Sequence, residues 1–181
     1  SPWNFPVTLS LIDAVPALAA GCAVLVKPSE VTPRFIVPLQ RALHRVPELA
    51  SVFALVTGGA DTGRALVAVA DVVCFTGSVA TGRKVAEAAA ARFIPAFLEL
   101  GGKDPAVVLA SADLEVATDV VLRGSIANNG HACMSLERVY VQRPLYEPFV
   151  RRLVEKAEAV KLAFPDPRAG YLGPLIFEPQ A

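Results

Sequence analysis

Cysteine is scarce in this chain: Cys22, Cys74 and Cys133 form an odd trio among 181 residues, and no metal-ligand spacing links them. A disulfide framework needs pairs, so the count fits a reduced compartment, and the expected location is the cytoplasm. Charge of one sign is also missing, because 17 Lys and Arg offset 17 Asp and Glu and neither sign runs in a block. That balance removes the electrostatic footprint of a nucleic-acid or anionic-membrane binder and leaves small molecules and other protein surfaces as partners. No apolar run reaches the ~18 residues of a membrane span, no secretory segment precedes the first cysteine, and no metal constellation is present. Met134 is the only methionine, the chain opens at Ser1, and residues 173–181 close no element, so the piece reads as the interior of a longer protein.

What is present is a core-rich composition, 54% hydrophobic and 19% charged. Apolar runs alternate with amphipathic stretches, the pattern of an α/β protein. Residues 9–20 have helical spacing with a kink expected at Pro16 and a stop at Gly21. Strands are expected at 23–26, 52–56, 72–75 and 96–98, separated by helices from Pro33 to about Arg45, from about Asp61 to Ala70 and from about Ala80 to Ala91. Gly101-Gly102 then reads as a joint between two domains. Beyond it a strand is expected at 106–109, a helix at 113–126, a loop at 128–133, a strand at 138–142 and a helix at 145–160. A right-handed crossover ahead of the first helix would need a strand before Ser1, so the sheet is expected to be incomplete, its first strands missing.

Several residues can carry chemistry. Cys133 lies in a polar, Gly-containing loop, whereas Cys22 and Cys74 lie in or beside apolar strands, where thiols are inert packing. An ordinary thiol is only a few per cent ionised at neutral pH, so Cys133 needs help from backbone N–H groups of the Gly130 loop or from His131. His131, two residues away, suggests a Cys–His pair, although side chains at that spacing seldom meet. Asn4 is either a helix cap or a positioned primary amide. Glu99 ends an apolar strand before two glycines, and is either a turn-capping carboxylate or a functional group at a strand's carboxyl end. Lys27 and Glu30 bracket Pro28-Ser29 after another strand and offer either contacts to a ribose or a surface ion pair. Gly59 lies in the Gly-rich turn that opens one helix, and Gly77-Ser78 open another, whose free N–H groups suit a phosphate, although no G-x-G-x-x-G is present.

Read in order, Pro2-Trp3-Asn4-Phe5-Pro6, Lys27-Pro28-Ser29-Glu30, the Gly59 to Gly63 turn, Phe75-Thr76-Gly77-Ser78, Glu99-Leu100-Gly101-Gly102-Lys103 and Asn129-Gly130-His131-Ala132-Cys133 resemble the NAD(P)-dependent aldehyde dehydrogenase superfamily over nearly the whole chain. The resemblance implies a Rossmann-like parallel sheet in a partial coenzyme-binding domain over 1–99, followed by part of an α/β catalytic domain over 100–181. It implies oxidation of an aldehyde to a carboxylic acid, with Cys133 as nucleophile, Asn4 in the oxyanion hole and Glu99 as the base that hydrolyses the thioester. It places Lys27 and Glu30 on the adenosine ribose of NAD, with NADP also possible, Ser78 at the pyrophosphate, and Gly59 and Gly77 among the coenzyme-binding residues. His131 stands where this family usually carries Gln. A small-molecule aldehyde and further copies in a homo-oligomer are the partners implied. The alternatives are a CoA-acylating semialdehyde dehydrogenase, against which Glu99 argues, a catalytically silent fragment of such an enzyme, and a cysteine hydrolase.

Overall fold

Parallel strand pairs, each joined by a helical crossover, make up the chain, and the computed structural model describes residues 1–178. The chain divides into two compact units, Ser1–Gly101 and a second that begins at Gly102.

In the first unit, α1 (Pro6–Leu11) and α2 (Ala14–Ala19) replace the single kinked helix expected over 9–20. Pro16 has no N–H to donate to the carbonyl of Ile12. The chain therefore turns at Ile12 and Asp13, and Pro16 falls in the first turn of a new helix, where that donor is not needed. Gly21, at φ +85°, supplies the left-handed residue that ends α2. Strand β1 (Val24–Val26) pairs in parallel with β2 (Phe53–Leu55). Their crossover is a 3-10 turn at Pro33–Phe35, then α3 (Ile36–Leu43), then a short α4 (Pro47–Ala50) that the apolar pattern alone does not signal. Ala14, Ile36, Leu43, Phe53 and Leu55 form one buried cluster, so α2, α3 and β2 share a core.

Helix α5 (Ala60–Val69) leads to β3 (Val73–Thr76), which pairs in parallel with β4 (Ala96–Glu99) across α6 (Val79–Ala91). The α/β class is as expected. Among the described residues, however, the four strands stand as two separate pairs, so the sheet is present as its β-α-β units rather than as one continuous ladder.

The second unit repeats the plan with β5 (Asp104–Val108), α7 (Leu114–Ile126), β6 (Leu136–Val141) and α8 (Arg143–Glu158). β5 begins earlier than its apolar run, and the register shifts between Asp104 and Pro105, where the missing proline N–H interrupts the ladder. Asp113 caps α7 by accepting the N–H of Val116 at 2.9 Å. Val108, Val121 and the 1% exposed Phe149 join strand and helices in the core. No helix among the described residues is long and apolar enough to cross a membrane.

Helices α7 and α8 are also joined by charge. Arg152 grips Glu115 with Nε to Oε1 at 2.6 Å and Nη2 to Oε2 at 2.8 Å, while Lys156 Nζ reaches Asp119 Oδ1 at 2.7 Å. The hydrogen bonds from Arg152 and then Lys156 hold the Glu115 pKa down to about 2. A lowered carboxylate pKa means stability that is fully present above the usual carboxylate range, about 4.5, and lost as pH falls towards 2. Glu115→Gln should therefore lower the melting temperature modestly at pH 7, since the pair is exposed, and the difference from wild type should shrink on acidification through that window. Thermal unfolding followed by circular dichroism across that range checks it.

Candidate active site

Cys133 sits in a tight turn directly ahead of β6, and the backbone that leads into it is unusual. Asn128, Asn129 and Gly130 take φ of +52°, +60° and +73° in succession. Asparagine tolerates this region better than most residues, and glycine has no Cβ to clash. The turn is tied on both sides. The His131 N–H donates to the Asn128 carbonyl at 3.0 Å, and Asn128 Nδ2 donates to the His131 carbonyl at 3.3 Å. Buried Ser135 donates through Oγ to the Gly130 carbonyl at 3.1 Å, and Ser125 Oγ donates to the Leu136 carbonyl at 2.8 Å. An ordered backbone thus presents an exposed cysteine. His131 is 7% exposed, so the imidazole and the thiol have different surroundings.

The contrast expected among the cysteines does not hold, because Cys22 and Cys74 are exposed as well. Both lie at the short strand pairs, whose outer faces carry no cover: Leu25 is 55% and Phe97 64% exposed. Partial cover of the Cys74 sulfur, with the Asp13 charge as a lesser cause, still raises that thiol's pKa. Exposure alone therefore does not mark Cys133; its turn does.

Asn4 precedes α1 by two residues and is half-buried. The cap position of that helix is Phe5, and no side chain caps it. Thr32 Oγ1 donates to the carbonyl of the neighbouring Trp3 at 2.9 Å and anchors the segment. Glu99 is the last residue of β4, paired with Thr76, and its carbonyl accepts the N–H of Gly77 at 3.0 Å. Its side chain is exposed. Glu99, Gly77 and Ser78 therefore share the carboxyl end of one strand pair. Ser78 caps α6, accepting the N–H of Thr81 at 3.2 Å. A Cβ at Gly77 would lie 2.6 Å from the Phe75 ring, so any larger residue there would force that ring to move.

Lys27 and Glu30 meet at the carboxyl end of the other pair, with Nζ to Oε2 at 3.2 Å. A backbone hydrogen bond within Glu30, and then Lys27, hold this carboxyl below the usual range, so it is ionised at neutral pH. Beside them opens a cavity of about 310 Å³ lined by Pro28, Ser29, Glu30, Ile36, Thr57 and Gly58. The stem of Lys27 runs past Gly63, with Cδ 3.9 Å from where a Cβ would be. Gly58 could bear no side chain, since its Cβ would fall 2.0 Å from Thr62 Oγ1. Gly59 follows as the cap residue of α5 with nothing within 4 Å of its Cβ position. The structure thus gathers Lys27, Glu30 and the 57–59 turn at one strand-pair end, the place where α/β folds bind ligands. Thr57 and Ile36 are additions to the expected set. Their only sequence signal is position, Thr57 just after a strand and Ile36 in a helix's first turn. Asn4 and Glu99 belong to the first unit and Cys133 to the second.

A family model described as "Aldehyde dehydrogenase family" matches residues 1–181. A provisionally named succinate-semialdehyde dehydrogenase [NADP(+)] of Mycolicibacterium smegmatis is 40% identical over 181 residues, covering 99% of this chain and 35% of that protein. Lactaldehyde dehydrogenase of Escherichia coli is 40% identical over 179 residues, covering 97% of this chain and 37% of its own length. Among solved structures, the provisionally named aldehyde dehydrogenase PutA from Anabaena variabilis superposes with a TM-score of 0.97 at 58% identity, over 99% of this chain and 38% of that one. The chain therefore spans little more than a third of the length of the relatives it matches.

The three exposed thiols should all take up iodoacetamide, and the raised pKa of Cys74 should move its alkylation to higher pH than an ordinary thiol. Peptide-resolved mass spectrometry across a pH series reads this directly. Cys74 reacting fastest at neutral pH would contradict it.

Proposed function

The chain belongs to the aldehyde dehydrogenase family, and from that premise we propose that it forms part of an enzyme oxidising an aldehyde to a carboxylic acid with NAD(P). The observation that carries this reading is the exposed Cys133 held on a hydrogen-bonded turn of left-handed residues. In this reading residues 1–99 serve the coenzyme and 100–181 the covalent chemistry. The enzyme would act in the cytoplasm as a homo-oligomer.

The ionised thiol of Cys133 attacks the aldehyde carbon, the C=O π pair moves to oxygen, and a thiohemiacetal forms. The amide of Asn4 and the backbone N–H of Cys133 receive the negative oxygen; losing one such donor typically costs about 10²–10³ in rate. NAD(P), when bound, supplies the acceptor for the hydride that the thiohemiacetal carbon loses. The product is a thioester on Cys133. Glu99 takes a proton from water, the hydroxide adds to the thioester carbonyl, and the C–S bond breaks to release the acid and the thiolate. Exposure of Glu99 at a strand end favours this task, since the base must reach a solvent water.

The coenzyme's fit rests on the cavity at Glu30, lined in part by Gly58, and on the adjoining Lys27. Lys27 and Glu30 would hold the adenosine ribose, with Gly59 beside them, and Gly77 and Ser78 the pyrophosphate. The ionised Glu30 repels a 2′-phosphate and favours NAD, while Lys27 beside it offsets part of that repulsion, and NADP appears in the name of the Mycolicibacterium relative. The aldehyde itself is left as a class: the relatives' names span a semialdehyde and a hydroxyaldehyde.

In the complete protein, Cys133→Ala should abolish NADH formation at 340 nm across an aldehyde panel, and substantial remaining turnover would remove Cys133 as nucleophile. Glu99→Gln should leave a rapid first turnover of NADH followed by slow steady-state release, because hydride transfer precedes its step. A steady state equal to wild type rules out Glu99 as the deacylating base.

A further inference from the structure

The side chain of Asn129 holds two backbones together. Its Oδ1 accepts the N–H of Gly173 at 2.9 Å, and its Nδ2 donates to the carbonyl of Pro174 at 3.1 Å. The amide thus pairs with the 173–174 segment through one donor and one acceptor, as a peptide group does in a strand ladder. The segment it grips is itself fixed. The Ala163 N–H donates to the Leu172 carbonyl at 2.6 Å and the Tyr171 N–H to the Lys161 carbonyl at 2.7 Å. Gly170 passes so close to Leu162 that a Cβ there would lie 2.5 Å from its carbonyl carbon. Asn129 takes φ +60° four positions ahead of Cys133, next to Asn128 at +52°. Successive left-handed residues other than glycine persist only where their surroundings enforce them, and the clamp on 173–174 is such an enforcement.

Resting on the reading of Cys133 as nucleophile, we propose that Asn129 is a positioning residue whose amide fixes the turn that aims the thiol. It touches no reacting atom; it acts through the backbone from 129 to 133. A nucleophile displaced by about 1 Å can lose about 10²-fold in rate, so a turn released from its anchor should slow bond formation at the aldehyde carbon without weakening coenzyme binding.

The test uses the complete protein with Asn129→Asp, Asn129→Ala and Cys133→Ala side by side. An Asp at this position keeps the acceptor for the Gly173 N–H, but when ionised it has no donor for the Pro174 carbonyl, and protonation restores one. At neutral pH and saturating aldehyde and NAD, both Asn129 variants should form the first turnover of NADH about tenfold more slowly than wild type. The aldehyde KM and the NAD dissociation constant should move less than about threefold. The ratio of Asn129→Asp to wild-type rate should rise as pH falls from about 6 to about 4, towards the ordinary Asp range, while the Asn129→Ala ratio stays level. A merely structural role would not give that divergence, and if Asn129→Ala does not fold, the pH ratio of Asn129→Asp is the deciding measurement. First-turnover rates within twofold of wild type, a loss carried by KM or NAD affinity, or a level Asn129→Asp ratio would overturn the proposal. Turnover surviving in Cys133→Ala would sink the nucleophile reading itself, whereas a silent Cys133→Ala beside wild-type rates in the Asn129 variants sinks only the inference drawn here.

Discussion

Parallel pairing forces both strands of a pair to end on the same side, and the chemistry available to the first unit follows from that constraint. β1 and β2 deliver Lys27 and the 57–59 turn to one carboxyl edge, and β3 and β4 deliver Gly77-Ser78 and Glu99 to another. Groups far apart in sequence become neighbours because the crossover helices return the chain to the same end. The hydrogen bond from the Gly77 N–H to the Glu99 carbonyl makes the second pairing explicit, since it ties the loop that opens α6 to the residue that carries the carboxylate. Cys133 has no such help. It precedes β6 and so lies at a strand's amino end, where a local backbone device must do what a strand terminus does elsewhere. The left-handed run 128–130, with its ties through Asn128, Asn129, Ser135 and Ser125, is that device.

Much of the fold was legible in the sequence because its signals are local. Gly21 ends a helix, Asp113 and Ser78 cap two others, and the apolar runs at 23–26, 52–56, 72–75 and 96–98 each overlap a strand, the last two of which run one residue further. The misjudged points have physical reasons. Pro16 was expected to kink one helix and instead falls in the first turn of a second, where its missing N–H is not needed, whereas in a helix interior it would remove a hydrogen bond. β6 begins two residues earlier than its apolar run suggests, since pairing with Asp104 begins at Leu136, the residue that follows the turn carrying Cys133. The pairing of a partner strand cannot be read from one strand alone.

The site was legible unevenly. Lys27 and Glu30 sit three residues apart across Pro28-Ser29, a spacing short enough for their ion pair to be foreseen as one of two options. The exposure of Cys22 and Cys74 was not legible, because an apolar neighbourhood in sequence does not by itself mean cover in space. Strand faces alternate, and the outward face of a two-stranded pair has nothing above it. The clamp of Asn129 on 173–174 was invisible because its two ends are separated by 44 and 45 residues and linked only through folded loops. An Asn in a loop carries no mark of which distant backbone it will bind.

All-parallel sheets ordinarily bury both faces, and their strands read as continuous apolar runs for that reason. Here the runs are present while Leu25, Phe97 and Val107 remain 55%, 64% and 68% exposed. The helices cover one side of each pair, and the stability of a two-stranded pair on its own is marginal. The positions that carry chemistry therefore rest on scaffolds whose second face is open in this stretch of chain, which spans little more than a third of its relatives' length. A functional group at a strand end is held only as firmly as the strand beneath it. Loss of activity on removing a side chain is thus interpretable only in the complete protein, where a fall in rate at unchanged stability separates the roles proposed for Cys133, Glu99 and Asn4 from the packing that holds them.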